Sequence, residues 1–178
     1  MAKKYLQLVA AILIFTTIII FIFHTSQGVG YIKIDSNDVE LRLRGGWFGL
    51  KNVNVTSGAA TVVKTGSYRP VRVHITKKQG ADQWSIFGVG PWGQLQKIRV
   101  RTNQTVTLKL GPPFIMKPQI STQRNLRNIN IGLVLKGQAQ EGYAASSAMK
   151  NGIRLPEPVI NIMDMNDMMI ATDKMAYG

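Results

Sequence analysis

Cysteine is absent from all 178 residues. Without a thiol there is no disulfide framework, no thiolate metal site, no cysteine nucleophile and no lipidated cysteine anchor. Histidine is nearly absent as well, with only His24 and His74. His24 follows an apolar run, and His74 falls between Arg72 and Thr76 on what reads as the polar face of a strand. A general base needs an oriented partner within hydrogen-bond reach, and no serine, histidine and aspartate spacing supplies one. No P-loop is present. The glycine-rich GVGPWG at residues 88–93 follows Trp84 and Phe87 and opens no helix, so it reads as a turn carrying two aromatics, Trp84 and Trp92, that pack in the core or between domains, or else present a contact edge. The expectation is a protein that is not an enzyme and uses no cofactor or metal.

Acid is scarce where base is abundant. Over residues 41–140, sixteen Lys and Arg face one carboxylate, Asp82, a local charge of +15 in a chain of net +13. Over residues 141–178, three bases and five acids give −2. A cationic stretch of this kind suits anionic lipid headgroups, an acidic protein surface or an anionic polysaccharide. Arg42, Arg44, Arg72, Arg99 and Arg101 form the candidate basic interaction face, because they alternate with apolar residues and so point away from a core.

The one long charge-free run is at the N-terminus. Residues 6–23 carry no charge, with Gln7, Thr16 and Thr17 as the polar interruptions. Eighteen helical residues span about 27 Å, close to the hydrocarbon thickness, whereas the apolar part of a signal peptide is usually about 7–15 residues. The following HTSQG offers no good small-residue cleavage pattern. The run therefore reads as a retained transmembrane helix. Lys3 and Lys4 precede it and no base follows until Lys33, which places the N-terminus in the cytoplasm and the rest outside. No glutamate precedes Glu40, which argues against a type IV pilin helix. Association within a bilayer favours small and hydroxylated residues. Ala10 and Thr17 are seven residues apart and share a face, so Ala10, Leu13, Ile14 and Thr17 are the expected docking seam. The alternative is that Thr16 and Thr17 bond back to their own helix carbonyls.

Beyond Gly30 the dominant period is two. VELRLRG sets Val39, Leu41 and Leu43 against Glu40, Arg42 and Arg44; RPVRVHITKK sets Val71, Val73 and Ile75 against Arg72, His74 and Thr76. Ile98, Val100, Val106, Leu108 and Leu110 continue the pattern, as do Ile129, Ile131, Leu133 and Leu135. Gly-rich turn signals separate these runs, which argues for small β-sandwiches. GPPF at residues 111–114 removes two backbone donors and marks a boundary rather than a central strand. MDMNDMM, residues 163–169, could offer oxygen ligands or soft thioethers to a metal. It reads more simply as a hairpin with strands at 159–163 and 168–172, a turn at 164–167, and methionines filling a core.

GYIKIDSNDVELRLRGG followed by VNVTSGAATVVKTGSYRPVRVHITKK resembles the PEGA and carboxypeptidase-regulatory-like domains over about residues 28–110. The resemblance implies a prealbumin-like β-sandwich, a turn at Gly66, Tyr68 in the core, and a non-catalytic interaction or spacer role. The whole exported part also resembles uncharacterised membrane-anchored proteins of planctomycete-type bacteria.

The resulting expectation is an all-β extracytoplasmic part, of one or two prealbumin- or Ig-like sandwiches, behind a single N-terminal transmembrane helix. Its divisions are a cytoplasmic N-terminus at 1–5, the helix at 6–24, a linker at 25–30, a PEGA-like sandwich at 31–110, and at 111–178 a second Ig-like sandwich or the C-terminal half of one. The expected role is a non-catalytic accessory subunit of a membrane complex, such as a photosynthetic or respiratory assembly, in a bacterial inner membrane. Its expected partners are integral membrane subunits and anionic headgroups or an acidic protein surface, with no nucleic acid. The alternative is a free-standing tethered envelope or glycan-binding module.

Overall fold

A computed structural model of the chain describes residues 12–18, 28–45, 51–123 and 128–175. Residues 12–18 form an exposed helix. In it the Thr16 hydroxyl donates to the Ile12 carbonyl at 2.8 Å and the Thr17 hydroxyl to the Leu13 carbonyl at 2.6 Å. The rest of the expected span at 6–24 lies outside the described residues, and among the described residues no helix is long and apolar enough to cross a membrane.

Beyond it the chain is all-β, built around two packed sheets. In the smaller sheet β1 (Val29–Ile34) is central. It pairs antiparallel with β4 (Thr61–Lys64) and parallel with β8 (Thr105–Leu108). In the larger sheet β3 (Lys51–Thr56), β2 (Val39–Gly45), β5 (Gly66–Gln79) and β6 (Asp82–Gly88) lie side by side, and β7 (Ile98–Val100) pairs with the first part of β5. Period-two alternation decides what faces inward. Ile32, Ile34, Val63 and Leu108 from the small sheet meet Leu41, Leu43, Val55, Tyr68, Val73 and Ile75 from the large one, all buried in one cluster. The residues between them on β2, namely Glu40, Arg42 and Arg44, are exposed.

Within β5 the expected register needs one correction. Val73 and Ile75 are buried as the alternation predicts, but Val71 is only half-buried and Pro70 is buried in its place. The pairing slips here: Arg42 faces Arg72, while Leu43 faces Pro70. Val71 is therefore the extra residue of a β-bulge, the kind of position where a strand tolerates a proline.

After Gly111 the chain makes a nine-pair hairpin of β9 (Ile115–Gln123) and β10 (Asn128–Lys136), then returns to the sandwich through β11 (Gly142–Tyr143). Ala139 and Tyr143 join the same core as Leu110. Glu141 is 0 % exposed, and its Oε1 accepts from the Gly111 N–H at 2.6 Å and from the Tyr143 hydroxyl at 2.9 Å. Next, β12 (Met149–Lys150) adds to the edge of β6, with β13 (Ile153–Arg154) beyond it. A Lys150–Asp82 ion pair at 2.7 Å and a hydrogen bond from the Asn151 amide to Asp82 at 3.0 Å hold this return, and they keep the Asp82 carboxyl below its usual range.

The last hairpin is β14 (Val159–Met163) with β15 (Met169–Lys174). Its turn forms as the sequence predicts, with the Asp164 carboxylate accepting the N–H groups of Asn166 and Met168, each at 2.8 Å. Its methionines do not fill a core. Met163, Met165, Met168 and Met169 are exposed, because among the described residues the two strands pair only with each other and no second layer covers these side chains.

Candidate interaction surfaces

The outward face of the large sheet gathers arginine in rows. Across β3, β2 and β5, Asn52, Arg44 and Arg69 occupy one row, and Asn54, Arg42 and Arg72 the next. The third row is Thr56, Glu40 and His74, continued on β6 by Phe87. Arg99 of β7 lies opposite Ser67, which extends the same face. Arg101 follows β7 in a turn and is exposed, but it is not part of the rows. The expected face is thus brought together at Arg42, Arg44, Arg72 and Arg99.

Sequence reasoning missed Arg69. A period-two reading puts Arg69 and Arg72, three apart, on opposite faces, and the bulge puts them on one. The available signal was Pro70 inside a strand run, since proline there points to a bulge. The asparagines and Phe87 were also missed, because cross-strand register alone brings them in.

Like charges directly opposite each other are destabilising by a few tenths to about 1 kcal/mol per pair. Two such pairs, Arg42 with Arg72 and Arg44 with Arg69, sit in adjacent rows, and among the described residues none of the four makes a salt bridge. This arrangement lowers stability and suits an anion.

A cleft of about 320 Å³ opens beside the second and third rows, lined by Glu40, Arg42, Asn54, Arg72, His74 and Phe87. The Arg72 guanidinium carbon lies 3.8 Å from the centre of the Phe87 ring. The His74 ring stacks on Phe87 at 4.2 Å and 14°. Burial holds the His74 imidazole below its ordinary pKa; Glu40 opposes that shift and Arg72 adds to it. Burial therefore favours the neutral form of His74. In an NMR titration its midpoint should lie below that of an ordinary histidine, falling further in Glu40→Gln and rising in Arg72→Gln. The same midpoint in all three proteins would show that neither charge reaches the ring.

The second surface mixes large apolar side chains with polar ones such as Thr172, Asp173 and Lys174. A cleft of about 620 Å³ runs between β10 and the last hairpin, with Ile131, Leu133, Tyr143, Ile160, Ile162 and Met175 among its walls. Beside it, Met163, Met168, Met169 and Ile170 are exposed on the hairpin, and Ile115, Met116 and Ile120 on β9. β9 is the end strand of its sheet, nine residues long. Lys117 and Pro118 within that strand are residues that limit edge pairing with another chain.

Of the expected helix seam, Ala10 lies outside the described residues. Leu13, Ile14 and Thr17 are exposed, with the Thr17 hydroxyl bonded to its own helix. No protein-family model matches the chain, and no curated protein or solved structure matches it.

Proposed function

We propose that this protein is a non-catalytic accessory subunit of a larger membrane complex, held by a single N-terminal helix, with its β part outside the cytoplasm. We read the two packed sheets as a prealbumin-like sandwich of the PEGA type. The observation that carries the reading is the last hairpin: β15 is exposed at every residue, and Val159, Ile162, Met163, Met169 and Ile170 of the two strands are exposed. An isolated two-stranded hairpin is at best marginally stable in water. Burying one large apolar side chain stabilises by about 1.5–3 kcal/mol. A partner that covers Met163, Met168, Met169 and Ile170 would supply the cover that the described residues do not. The integral membrane subunits beside the helix are that partner, and the arginine face adds contact with headgroups or an acidic protein surface.

The test is gel filtration after extraction in a mild detergent. The wild-type chain should elute with a large complex. Met168→Ser combined with Ile170→Ser should release it as a free subunit, and because both side chains are exposed the folding stability should change by less than about 0.5 kcal/mol. A wild-type chain that elutes alone would instead favour a free-standing tethered module, the reading that the arginine cleft supports.

A further inference from the structure

We propose that the cleft lined by Glu40, Arg42, Asn54, Arg72, His74 and Phe87 is a binding site for a phosphodiester carrying free hydroxyls, the chemistry of a glycerol phosphate headgroup.

Charge is the first argument. Arg42 and Arg72 face each other across adjacent strands, and the one carboxylate lining the cleft is Glu40. Its two guanidiniums and one carboxylate leave a single net positive charge. That matches a diester, which carries one negative charge, better than a monoester dianion, which Glu40 would repel.

Geometry is the second. A planar carboxylate is satisfied by one guanidinium fork, in a bidentate pair. Two forks on neighbouring strands, with the Asn54 amide in the same row, present donors from more than one side. A tetrahedral phosphate offers oxygens in those several directions. Phe87 fixes the Arg72 fork by stacking beneath it at 3.8 Å, which lowers the entropy lost on binding.

Glu40 supplies the third argument. An ionised carboxylate only accepts hydrogen bonds. Beside an oxyanion it discriminates against simple anions, unless the ligand also brings donors. Hydroxyls next to the phosphate are such donors.

The source we assign is a membrane headgroup, and this part alone rests on the anchored reading above. β1 starts at Val29, five residues past the expected span end at residue 24. Five extended residues reach at most about 18 Å. The Asn52–Arg44–Arg69 row repeats the Asn54–Arg42–Arg72 row two residues along, about 7 Å away. Repeated rows suit a surface of many headgroups more than one small solute.

The experiment uses the full chain in a neutral detergent and follows the His74 imidazole by NMR. Glycerophosphoglycerol, the deacylated headgroup of phosphatidylglycerol, should shift His74 saturably. Arg42→Gln and Arg72→Gln should each weaken that binding by about tenfold or more. Glu40→Ala should weaken glycerophosphoglycerol relative to inorganic phosphate, because it removes the acceptor for the hydroxyls. Phosphatidylglycerol in mixed micelles should reproduce the shift, and phosphatidylcholine should not. An unmoved His74, tighter binding of glucuronate, or affinity that survives both arginine substitutions would overturn the site. Binding of glycerophosphoglycerol without a response to phosphatidylglycerol micelles would keep the ligand chemistry and overturn its membrane source. The gel-filtration behaviour is independent of all these outcomes, so loss of the site and loss of the accessory role remain distinguishable.

Discussion

Replacing Glu141 by alanine should cost about 3 kcal/mol of stability and loosen the β9–β10 hairpin from the core. Glu141 is fully buried, and its Oε1 is the acceptor for two donors at once, the Gly111 N–H at 2.6 Å and the Tyr143 hydroxyl at 2.9 Å. These bonds tie the entry to the hairpin, at Gly111, to the exit from it, at Tyr143. The space is tight: a Cβ on Gly137 would lie 2.0 Å from Glu141 Oε1. Alanine would leave both donors without this acceptor in a buried position and open a cavity beside them. Burial and the neighbouring Glu141 push the Tyr143 hydroxyl far above the ordinary tyrosine range, so it remains a donor at any working pH.

Two milder variants separate the causes. Tyr143→Phe removes one of the two donors and should cost about 1 kcal/mol. Glu141→Gln keeps the Oε1 acceptor. It places an amide NH2 where Oε2 already lacks a partner, so its loss should fall between the other two. Thermal unfolding gives the order, and amide hydrogen exchange over residues 115–136 reports whether the hairpin opens first. An alanine variant as stable as the parent would mean that the buried carboxylate ties nothing together.

The sequence carried some of this architecture in its period and none of it in its pairing. Where alternation is unbroken, as in VELRLRG, hydrophobicity alone sets which side chains face the core, and Leu41 and Leu43 are buried while Arg42 and Arg44 are not. Where a bulge intervenes, as at Val71, the period fails by one residue and Arg69 is misplaced. Long-range pairing leaves no local trace. The parallel β1–β8 pair joins residues more than seventy positions apart, and β12 returns to β6 across more than sixty. The last hairpin shows a different limit. Its strands and turn follow from local composition, but an apolar side chain reads the same whether its cover is the chain's own core or another protein. The methionines of residues 163–169 were therefore legible as apolar strand and turn residues, not as a surface. The site behaves likewise. Three arginines of the rows could be named from alternation, while the two asparagines, Arg69 and Phe87 join them only across strands.

The substitution with the largest expected effect is Tyr68→Ala, which should lower stability by about 4 kcal/mol, the loss typical of truncating a buried aromatic residue. Tyr68 is buried in β5, opposite Gly45 of β2 and Ile98 of β7. Its ring lies so close to Gly45 that a Cβ there would be 2.3 Å from Tyr68 Cδ1. Its hydroxyl donates to the Lys64 carbonyl at 2.7 Å, which links the large sheet to β4 of the small one. Burial raises the pKa of that hydroxyl and keeps it protonated. The neighbours Ser67 and Arg69 point outward from the same stretch of strand, so the ring also fixes where Arg69 meets Arg44 and where Arg99 approaches. Tyr68→Phe keeps the ring and loses one hydrogen bond, for about 1 kcal/mol. Gly45→Ala should be damaging for the opposite reason, overpacking, at about 1–3 kcal/mol. Denaturant unfolding of the three variants should rank them in that way. The Arg42–Arg72 row lies beyond the bulge at Val71, so glycerophosphoglycerol binding should persist in Tyr68→Phe. A Tyr68→Ala protein within about 1 kcal/mol of the parent would show that the ring fills space without bracing the two sheets. The Asn52–Arg44–Arg69 row would then need another support.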